Sequence, residues 1–414
     1  MFLLLIQLVV VVTVARVVGS AFRAVGQTRV VGEIVAGLLL GPSFLGWMFP
    51  SITGQLFPVE SLPLLNAFSQ VGLVLFMFVV GIRLDLSHLS ASRRIVVLTS
   101  IASMVLPFVL GVGLAMAIRT QFGVPDGMAW PFALFVGLSL SITAFPVLVR
   151  IVDEHELSAT RLGTVAIACA ALDDVTAWIV LALVTAFARA DTVSASTSAV
   201  GVIVYAAVML SVIRPVIHWW TARITDAEGR MAVLVIAAIA SAAATERLGV
   251  HPLFGAFFLG ALAPRDHEVE RFLTVRVEPL VAMLLLPLFF AFTGLRTNVH
   301  LLMSPWLVLE ALAILAIAVV GKAASPLLAC RMLALSKREA IALGVLMNTR
   351  GLVELVVLNI GADIGLLPPM LFTMLTLMAL VTTAMTSPLL RYMGYKKPGS
   401  RVSELAPAAR RAGH

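Results

Sequence analysis

Charged residues are scarce in this chain. Asp, Glu, Lys and Arg together make up 12% of its 414 residues, against about a quarter in a soluble globular domain. Hydrophobic residues make up 60%, and the mean hydropathy is +1.05. The two cysteines, Cys169 and Cys330, have no metal-ligand spacing, so we interpret both as packing residues. These features exclude a soluble domain and predict an α-helical protein that crosses a membrane many times.

Basic residues outnumber acidic ones, and the formal net charge is +7. A basic surface can bind nucleic acid, but here the Lys and Arg residues stand in short clusters between apolar runs. Such clusters are typical of loops on the cytoplasmic side of a membrane. We therefore expect no nucleic-acid partner, and we expect no cofactor.

Thirteen apolar segments, most of them about 17–25 residues long, are predicted to cross the bilayer. The ninth is short, and Gly41-Pro42 interrupts the second. Residues 1–390 then form one membrane transport domain, and residues 391–414 form a short basic cytoplasmic tail. The predicted spans lie near residues 1–19, 29–47, 63–82, 95–117, 129–149, 162–187, 196–219, 231–246, 252–263, 278–295, 305–329, 339–361 and 368–389.

The basic residues are distributed unevenly between the predicted loops. Loops after odd-numbered spans, together with the tail, carry 22 of the 29 Lys and Arg residues, whereas loops after even-numbered spans carry four. Because basic loops stay in the cytoplasm, the N-terminus is predicted to lie outside and the C-terminus inside. We expect the plasma (inner) membrane of a bacterium. Three basic residues fall inside spans instead: Arg16, Lys322 and Arg350.

A short motif occurs twice. The third span ends with Leu75-Phe76 and Gly81-Ile82-Arg83, and the tenth ends with Leu288-Phe289 and Gly294-Leu295-Arg296. Spans seven apart run in opposite directions, so this motif indicates an inverted repeat, whose substrate sites lie at the repeat interface near the membrane midplane. The predicted repeats cover about residues 1–189 and 231–389, with a linking helix at 196–219.

Two adjacent carboxylates, Asp173 and Asp174, lie near the centre of the sixth span. A charge there costs about 2.5 kcal/mol or more, so an intramembrane carboxylate indicates a functional site. Burial and mutual repulsion disfavour ionisation of such a pair, and its protons form a coupled set. We therefore predict that this pair exchanges protons near physiological pH.

Two further spans carry helix breakers at corresponding repeat positions. A proline removes a backbone N–H and disfavours helix before it, and a glycine permits a break. Interrupted spans at matching positions indicate a transport site, whereas ordinary kinked helices are the alternative. The residues concerned are Ser139, Ser141, Thr143 and Pro146 in the fifth span, and Asn348, Thr349, Arg350, Gly351 and Glu354 in the twelfth.

Lys322 lies well inside the eleventh span. A lysine near a helix end can reach the interface, but at this depth it needs a buried partner. A carboxylate of the sixth span is the natural candidate. Glu33, in the second span, is either a further functional carboxylate or a buried, hydrogen-bonded one.

These residues resemble the monovalent cation:proton antiporter-2 family, within the wider sodium/proton exchanger fold. The resemblance covers essentially the whole predicted membrane domain, and several motifs are most similar to the plant and fungal cation/proton exchanger branch. It rests on Gly32–Ser43, Leu138–Val149, Leu172–Trp178, His251–Phe257, Pro287–Asn298 and Leu343–Gly361.

The resemblance implies a homodimer-forming scaffold and a mobile core in which the fifth and twelfth spans cross as discontinuous helices. It also implies that Asp174 binds the ion while Asp173 pairs with Lys322. Many relatives carry a cytosolic regulatory domain; the sequence shows none, so we expect no gating by one. Members of the plant branch often have Asn-Asp where this chain has Asp173-Asp174, and the paired form is associated with electrogenic exchange of two protons per cation. Cation preference and stoichiometry therefore stay open.

We predict a secondary active antiporter that exchanges Na⁺ or K⁺, with Li⁺ as a further candidate, for protons by alternating access. A desolvated cation needs oxygen ligands, and protons compete for the same site. Membrane lipid and a second copy of the chain are the other expected partners. The predicted cation and proton ligands are Asp174, Asp173, Thr143, Ser141 and Asn348; Lys322, Arg350, Glu354 and Glu33 compensate charge; Pro146 and Gly351 mark the helix breaks.

Three other functions are the alternatives for a membrane protein of this kind. A cation channel or regulated cation efflux pathway on the same scaffold is the main alternative, and flux measurements separate it from an antiporter. Symport of an organic anion with sodium favours a pocket without a lysine, which Lys322 opposes. An intramembrane aspartyl protease needs carboxylates from two spans, whereas adjacent residues of one helix point about 100° apart. We therefore expect that the chain is not an enzyme.

Overall fold

A computed structural model describes residues 2–83, 93–189, 201, 203–248, 250–264, 266–333 and 336–395. Every regular element in these ranges is helical. Short helical turns, such as Leu45–Met48 and Pro50–Leu56, connect some of the main helices. The main helices are α1 (Phe2–Ala24), α2 (Arg29–Leu40), α3 (Leu62–Arg83), α4 (Arg93–Ile118), α5 (Ala129–Ser141), α6 (Phe145–Glu154), α7 (Arg161–Arg189), α8 (Ile203–Thr221), α9 (Ala227–Arg247), α10 (Pro252–Leu262), α11 (Glu268–Arg296), α12 (Pro305–Leu333), α13 (Lys337–Met347), α14 (Leu352–Asp363) and α15 (Pro369–Tyr392).

The predicted class, an all-α polytopic membrane protein, is confirmed. Eleven helical segments of the described ranges are long and apolar enough to cross a membrane, and the bent pair α13–α14 makes twelve. The predicted ninth span is α10, an apolar helix of 11 residues. At about 1.5 Å per residue it is shorter than the hydrocarbon core of a bilayer. The predicted count of thirteen is therefore reached only when α10 is included.

Helix α11 begins well before the predicted tenth span. Two π-helical turns, Leu273–Val277 and Val281–Leu285, precede Pro279 and Pro287. A π turn widens the backbone locally, which accommodates a proline ring without ending the helix. The charged residues before position 278 therefore belong to the same helix as the apolar run.

The linker and the tail are described only in part. Of the predicted linking helix, residues 196–200 and 202 lie outside the described residues, and residues 203–219 belong to α8. Helix α15 continues to Tyr392 with Pro388 inside it, so the first two residues of the predicted tail are helical. Residues 396–414 of that tail lie outside the described residues.

Two helix pairs cross with their backbones in direct contact. A Cβ atom at Gly294 of α11 would overlap the backbone of Gly37 in α2, and one at Gly81 of α3 would overlap the carbonyl group of Phe257 in α10. Only glycine permits backbones to approach so closely. The pairs α2–α11 and α3–α10 are therefore held together at points that accept no side chain.

Helix α7 lies in the centre of a second group of helices. It packs against α4, α5, α6 and α13, while α12 packs against α4, α13 and α15. Large apolar side chains, including Phe132, Phe135 and Trp178, are fully buried in this group. Its buried polar residues gather where α5 and α13 end, which places them beside the middle of α7.

Candidate functional site

The fifth and twelfth predicted spans are both discontinuous. Residues 142–144 separate α5 from α6, which has Pro146 in its first turn, and residues 348–351 separate α13 from α14, which bend by 44°. The two breaks meet, because the Ala144 N–H donates to the Thr349 carbonyl oxygen at 2.9 Å. Gly351 lies against Val147, whose Cγ2 atom would be 2.8 Å from a Cβ at this position. The extended segments thus cross in van der Waals contact beside α7.

Asp173 is fully buried in α7 and is faced by four donor groups. The hydroxyl of Ser100 lies 2.6 Å from its Oδ1 atom, and those of Ser103 and Thr143 lie 3.1 and 3.0 Å from Oδ2. Lys322 Nζ, also fully buried, lies 3.5 Å from Oδ2 and donates to the Thr143 hydroxyl at 2.7 Å. A carboxylate with this many donors is stabilised in place.

Asp174 differs sharply from its neighbour. It is 1% exposed, yet neither of its carboxylate oxygens has a hydrogen-bond partner among the described residues. The backbone N–H of Phe145, at the start of α6, lies near it. A buried polar group without partners is costly. Asp174 is therefore the group of this site that is suited to take up a proton or a cation.

Arg350 compensates the carbonyl end of α5. Its guanidinium donates to the carbonyl oxygens of Ser139 and Leu140 at 2.8 and 2.6 Å, and to Glu354 at 3.1 Å. The last carbonyls of a helix carry partial negative charge and lack partners within the helix. The hydroxyl of Thr383 in α15 accepts from Arg350 N–H at 2.9 Å and donates to its carbonyl at 2.6 Å. Both the side chain and the backbone of Arg350 thus hold the crossing together.

Ser141, Asn348 and Glu33 are three of the predicted site residues that make no hydrogen bond or ion pair to the aspartates in the described part of the chain. Ser141 is buried but donates to the Leu138 carbonyl of its own helix at 2.8 Å. Asn348 lines a cavity of about 30 Å³, and its Oδ1 atom has no partner among the described residues. Glu33 is paired with Arg29 on α2 at 3.3 Å. These residues lie around the crossing or away from it rather than on Asp174.

Sequence reasoning did not identify Ser100 and Ser103 as site residues. Their spacing of three places both hydroxyls on one face of α4, and both side chains are buried. Two serines one turn apart in a largely apolar span were the available signal. Serine is tolerated in membrane helices for backbone bonding as well, so the signal alone does not distinguish a site from a packing role.

Two larger cavities lie near the core. One, of about 450 Å³, is bordered by α4, α5 and α7 and includes Ser100, Ser141 and Thr176 in a mostly apolar lining. The other, of about 700 Å³, lies between α3, α9, α10 and α14, with Glu246 and Asp363 among its lining residues. Of the helices that line the second cavity, α3, α9 and α10 are away from α7, whereas α14 follows the break in the twelfth predicted span.

Comparison with known proteins finds relatives along the whole chain. It is 39% identical over 393 residues to the Na(+)/H(+) antiporter NhaS4 of Synechocystis sp., covering 94% of this chain and 96% of that protein. It is 39% identical to Cation/H(+) antiporter 20 of Arabidopsis thaliana over 93% of this chain, and 32% identical to K(+)/H(+) antiporter 1 of Saccharomyces cerevisiae over 98%. The chain spans about half the length of these last two relatives (48% of each).

A solved structure has the same fold. The sodium proton antiporter MjNhaP1 from Methanocaldococcus jannaschii, at pH 8, matches with a TM-score of 0.61 and 13% identity, covering 96% of this chain and 100% of that one. The family described as sodium/hydrogen exchanger, transmembrane, matches residues 9–392. The chain therefore belongs to the sodium/hydrogen exchanger family of membrane transporters, and it is not an enzyme.

Proposed function

We propose that the chain exchanges a monovalent cation, Na⁺ or K⁺, for protons across the membrane. One observation carries the proposal: of two adjacent buried aspartates, Asp173 is held by four donors, whereas Asp174 has no hydrogen-bond partner in the described residues. The names of the cyanobacterial and yeast relatives, which specify Na⁺ and K⁺ exchange with protons, support these substrates.

Cation and proton compete for Asp174 in this mechanism. A proton neutralises the carboxylate directly, whereas a desolvated cation needs further oxygen ligands. Backbone carbonyls at the α5–α6 break, together with the Thr143 hydroxyl, are the candidate ligands. A bare charge is costly at this depth. The site therefore changes the side of the membrane to which it is open only when a proton or a cation has compensated the carboxylate. This condition couples the two fluxes.

We infer that two groups of helices move relative to each other. The core bundle comprises α4–α7 and α12–α15, and it carries all of the predicted site residues except Glu33. The scaffold bundle comprises α1–α3 and α8–α11. The glycine contacts of α2 with α11 and of α3 with α10 correspond under a repeat of residues 1–189 and 231–389, which supports inverted repeats and alternating access.

The remaining features of the proposal concern assembly and orientation. The scaffold forms a homodimer, which leaves the core bundle free to move. The N-terminus lies outside and the C-terminus in the cytoplasm of a bacterial plasma membrane, because basic residues concentrate in alternate loops. Labelling of single cysteines introduced near Ala24 and Arg119 tests this orientation, since the two ends are expected on opposite sides.

The test is proton flux in proteoliposomes under an imposed gradient of Na⁺, Li⁺ or K⁺, compared with Asp174→Asn. Cation-dependent proton movement is expected in the wild type and is expected to be lost in the variant, which cannot ionise. Near-normal exchange by the variant would remove Asp174 from the mechanism. Cation flux without proton movement would indicate a channel instead.

A further inference from the structure

We propose that Arg296 is a positioning residue that holds the end of α14 against α11 in one of the two conformations of the transport cycle. The inference rests on the proposed function, because it assumes that the core bundle moves past the scaffold bundle. Arg296 ends α11 in the scaffold bundle, and its Nη2 atom lies 2.6 Å from Oδ1 of Asp363, which ends α14 in the core bundle. This ion pair therefore joins the two bundles.

A buried amide extends the contact by one helical turn. The Oδ1 atom of Asn359 accepts from Arg296 Nη1 at 3.3 Å, and its Nδ2 atom donates to the Thr293 hydroxyl at 2.8 Å. The planar guanidinium fork can serve two acceptors at once. Its central carbon lies 4.4 Å from the centre of the Phe292 ring, which helps to orient it. Three polar contacts thus join the last turns of α11 and α14.

The repeat-related arginine, Arg83, has different partners. It occupies the position of Arg296 in the motif that occurs twice. Its Nη1 atom donates to Glu278 at 3.0 Å and its Nη2 atom to the Thr274 hydroxyl at 3.1 Å, both on α11. Because Arg83 ends α3, this contact lies within the scaffold bundle. The two arginines share a motif but not a partner, so the repeat alone does not explain the contact of Arg296 with the core bundle.

The partial exposure of the Arg296–Asp363 pair suits a contact that breaks in every cycle. The two side chains are 31% and 33% exposed. A fully buried pair strongly resists separation, whereas a fully exposed pair contributes little. This pair lies between those limits, beside the buried side chains of Asn359 and Thr293. It can therefore favour one conformation without preventing the other.

Helix α14 has free space on another side. A cavity of about 700 Å³ borders α14 at Ile360, Asp363 and Ile364, and α3, α9 and α10 form its other walls. The end of α14 is thus attached to α11 and separated from these three helices. A contact made in one conformation only shifts the populations by its own free energy. Loss of the Arg296 contact is therefore expected to favour the conformation in which α14 has moved into the cavity.

The first experiment makes the contact permanent. Arg296→Cys/Asp363→Cys, in a Cys169→Ala/Cys330→Ala background, is treated with a short bifunctional thiosulfonate reagent. Cation-dependent proton flux in proteoliposomes is measured before treatment, after it, and after reduction. Because the bundles must separate at this point in each cycle, we expect flux to fall by about tenfold or more and to recover on reduction. Undiminished flux through the cross-linked protein would overturn the proposal.

The matched control for the cross-link is Arg83→Cys/Glu278→Cys. This pair joins α3 to α11 inside the scaffold bundle, and these helices move together in the proposed mechanism. Its flux is therefore expected to survive the same treatment. An equal loss of flux in both cross-linked variants would count against a specific role of the Arg296 contact.

The second experiment measures the conformations without transport. Spin labels on Ala244→Cys in α9 and Trp306→Cys in α12, two exposed positions on different bundles, report the distance between the bundles in the same cysteine-free background. Coupling between two conformations is typically about 5–150-fold, and a partly exposed pair belongs at the lower end. We therefore expect Arg296→Gln to shift the ratio of the two distance populations by about fivefold. Arg83→Gln is expected to leave the ratio unchanged.

The outcomes separate this inference from the proposed function. If the wild-type protein moves no protons under any cation gradient, the proposed function fails, and the distance populations alone decide the role of Arg296. If it exchanges protons but Arg296→Gln keeps the wild-type ratio of distances, only the role of Arg296 is wrong. If Arg296→Gln fails to fold, it is replaced by Arg296→Lys, which keeps the charge but loses the fork. A smaller shift in the same direction is then expected, and an unchanged ratio counts against the proposal.

Discussion

Removal of the Lys322 ammonium group should destabilise the protein through Asp173. Both side chains are fully buried and lie 3.5 Å apart. Loss of one partner of a buried ion pair costs about 3–5 kcal/mol, because a charge remains uncompensated. In Lys322→Ala the three hydroxyls still face Asp173, and each hydrogen bond to a charged group contributes about 1.5–3 kcal/mol. We therefore expect a loss at the lower end, about 3 kcal/mol.

Thermal unfolding of the purified protein in detergent measures this loss, and a double-mutant cycle assigns it to the pair. Asp173→Asn in the Lys322→Ala background removes the uncompensated charge, so the double variant should be more stable than Lys322→Ala alone. Coupling energies between contacting residues are about 0.5–3 kcal/mol, and we expect a value near the upper end. Additive effects of the two changes would refute the pairing of Lys322 with Asp173.

Two further changes test the packing of each bundle. Gly294→Ala introduces a Cβ atom that overlaps the backbone of Gly37, so we expect the free energy of unfolding to fall by about 1–3 kcal/mol. The control Gly113→Ala has open space around the new Cβ atom and should be neutral or stabilising by up to about 1 kcal/mol. Equal melting temperatures for the two variants would contradict this packing. Arg350→Gln leaves Glu354 buried without its cation, so we expect the free energy of unfolding to fall by about 3–5 kcal/mol. A melting temperature close to that of the wild type would show that neither Glu354 nor the α5 carbonyls need the guanidinium group.

Much of the site's framework could be predicted from the sequence, because its strongest signals are local. Pro146 and Gly351 break helices wherever they occur in a span, so the two discontinuities followed from backbone chemistry. Lys322 at mid-span required a buried carboxylate, and the structure places Asp173 beside it. The proposed roles of the two aspartates, ion binding by Asp174 and pairing with Lys322 by Asp173, came instead from the resemblance to a known family. Adjacent carboxylates have the same sequence environment, so the sequence alone does not distinguish them.

What could not be predicted depends on the rotation of helices about their own axes. Sequence spacing places Ser100 and Ser103 on one face of α4, but it does not determine that this face is turned toward α7. The assignment of Asn348 as a cation ligand stays a prediction, and its side chain lines a small cavity between α12, α13 and α15. The predicted start of the tenth span, residue 278, lies inside α11 (Glu268–Arg296). The two π turns that let this helix continue past its prolines are not evident from residue composition.

The glycine crossings of the scaffold bundle have a consequence for energy conservation in the membrane. Where α2 meets α11 and α3 meets α10, backbone lies on backbone, and there is no space at the contact for a side chain or a file of water molecules. A proton cannot hop where no water or titratable group connects the two faces. At these two contacts, therefore, no chain of water molecules fits between the helices, so under the proposed mechanism they add no proton leak beside the core bundle.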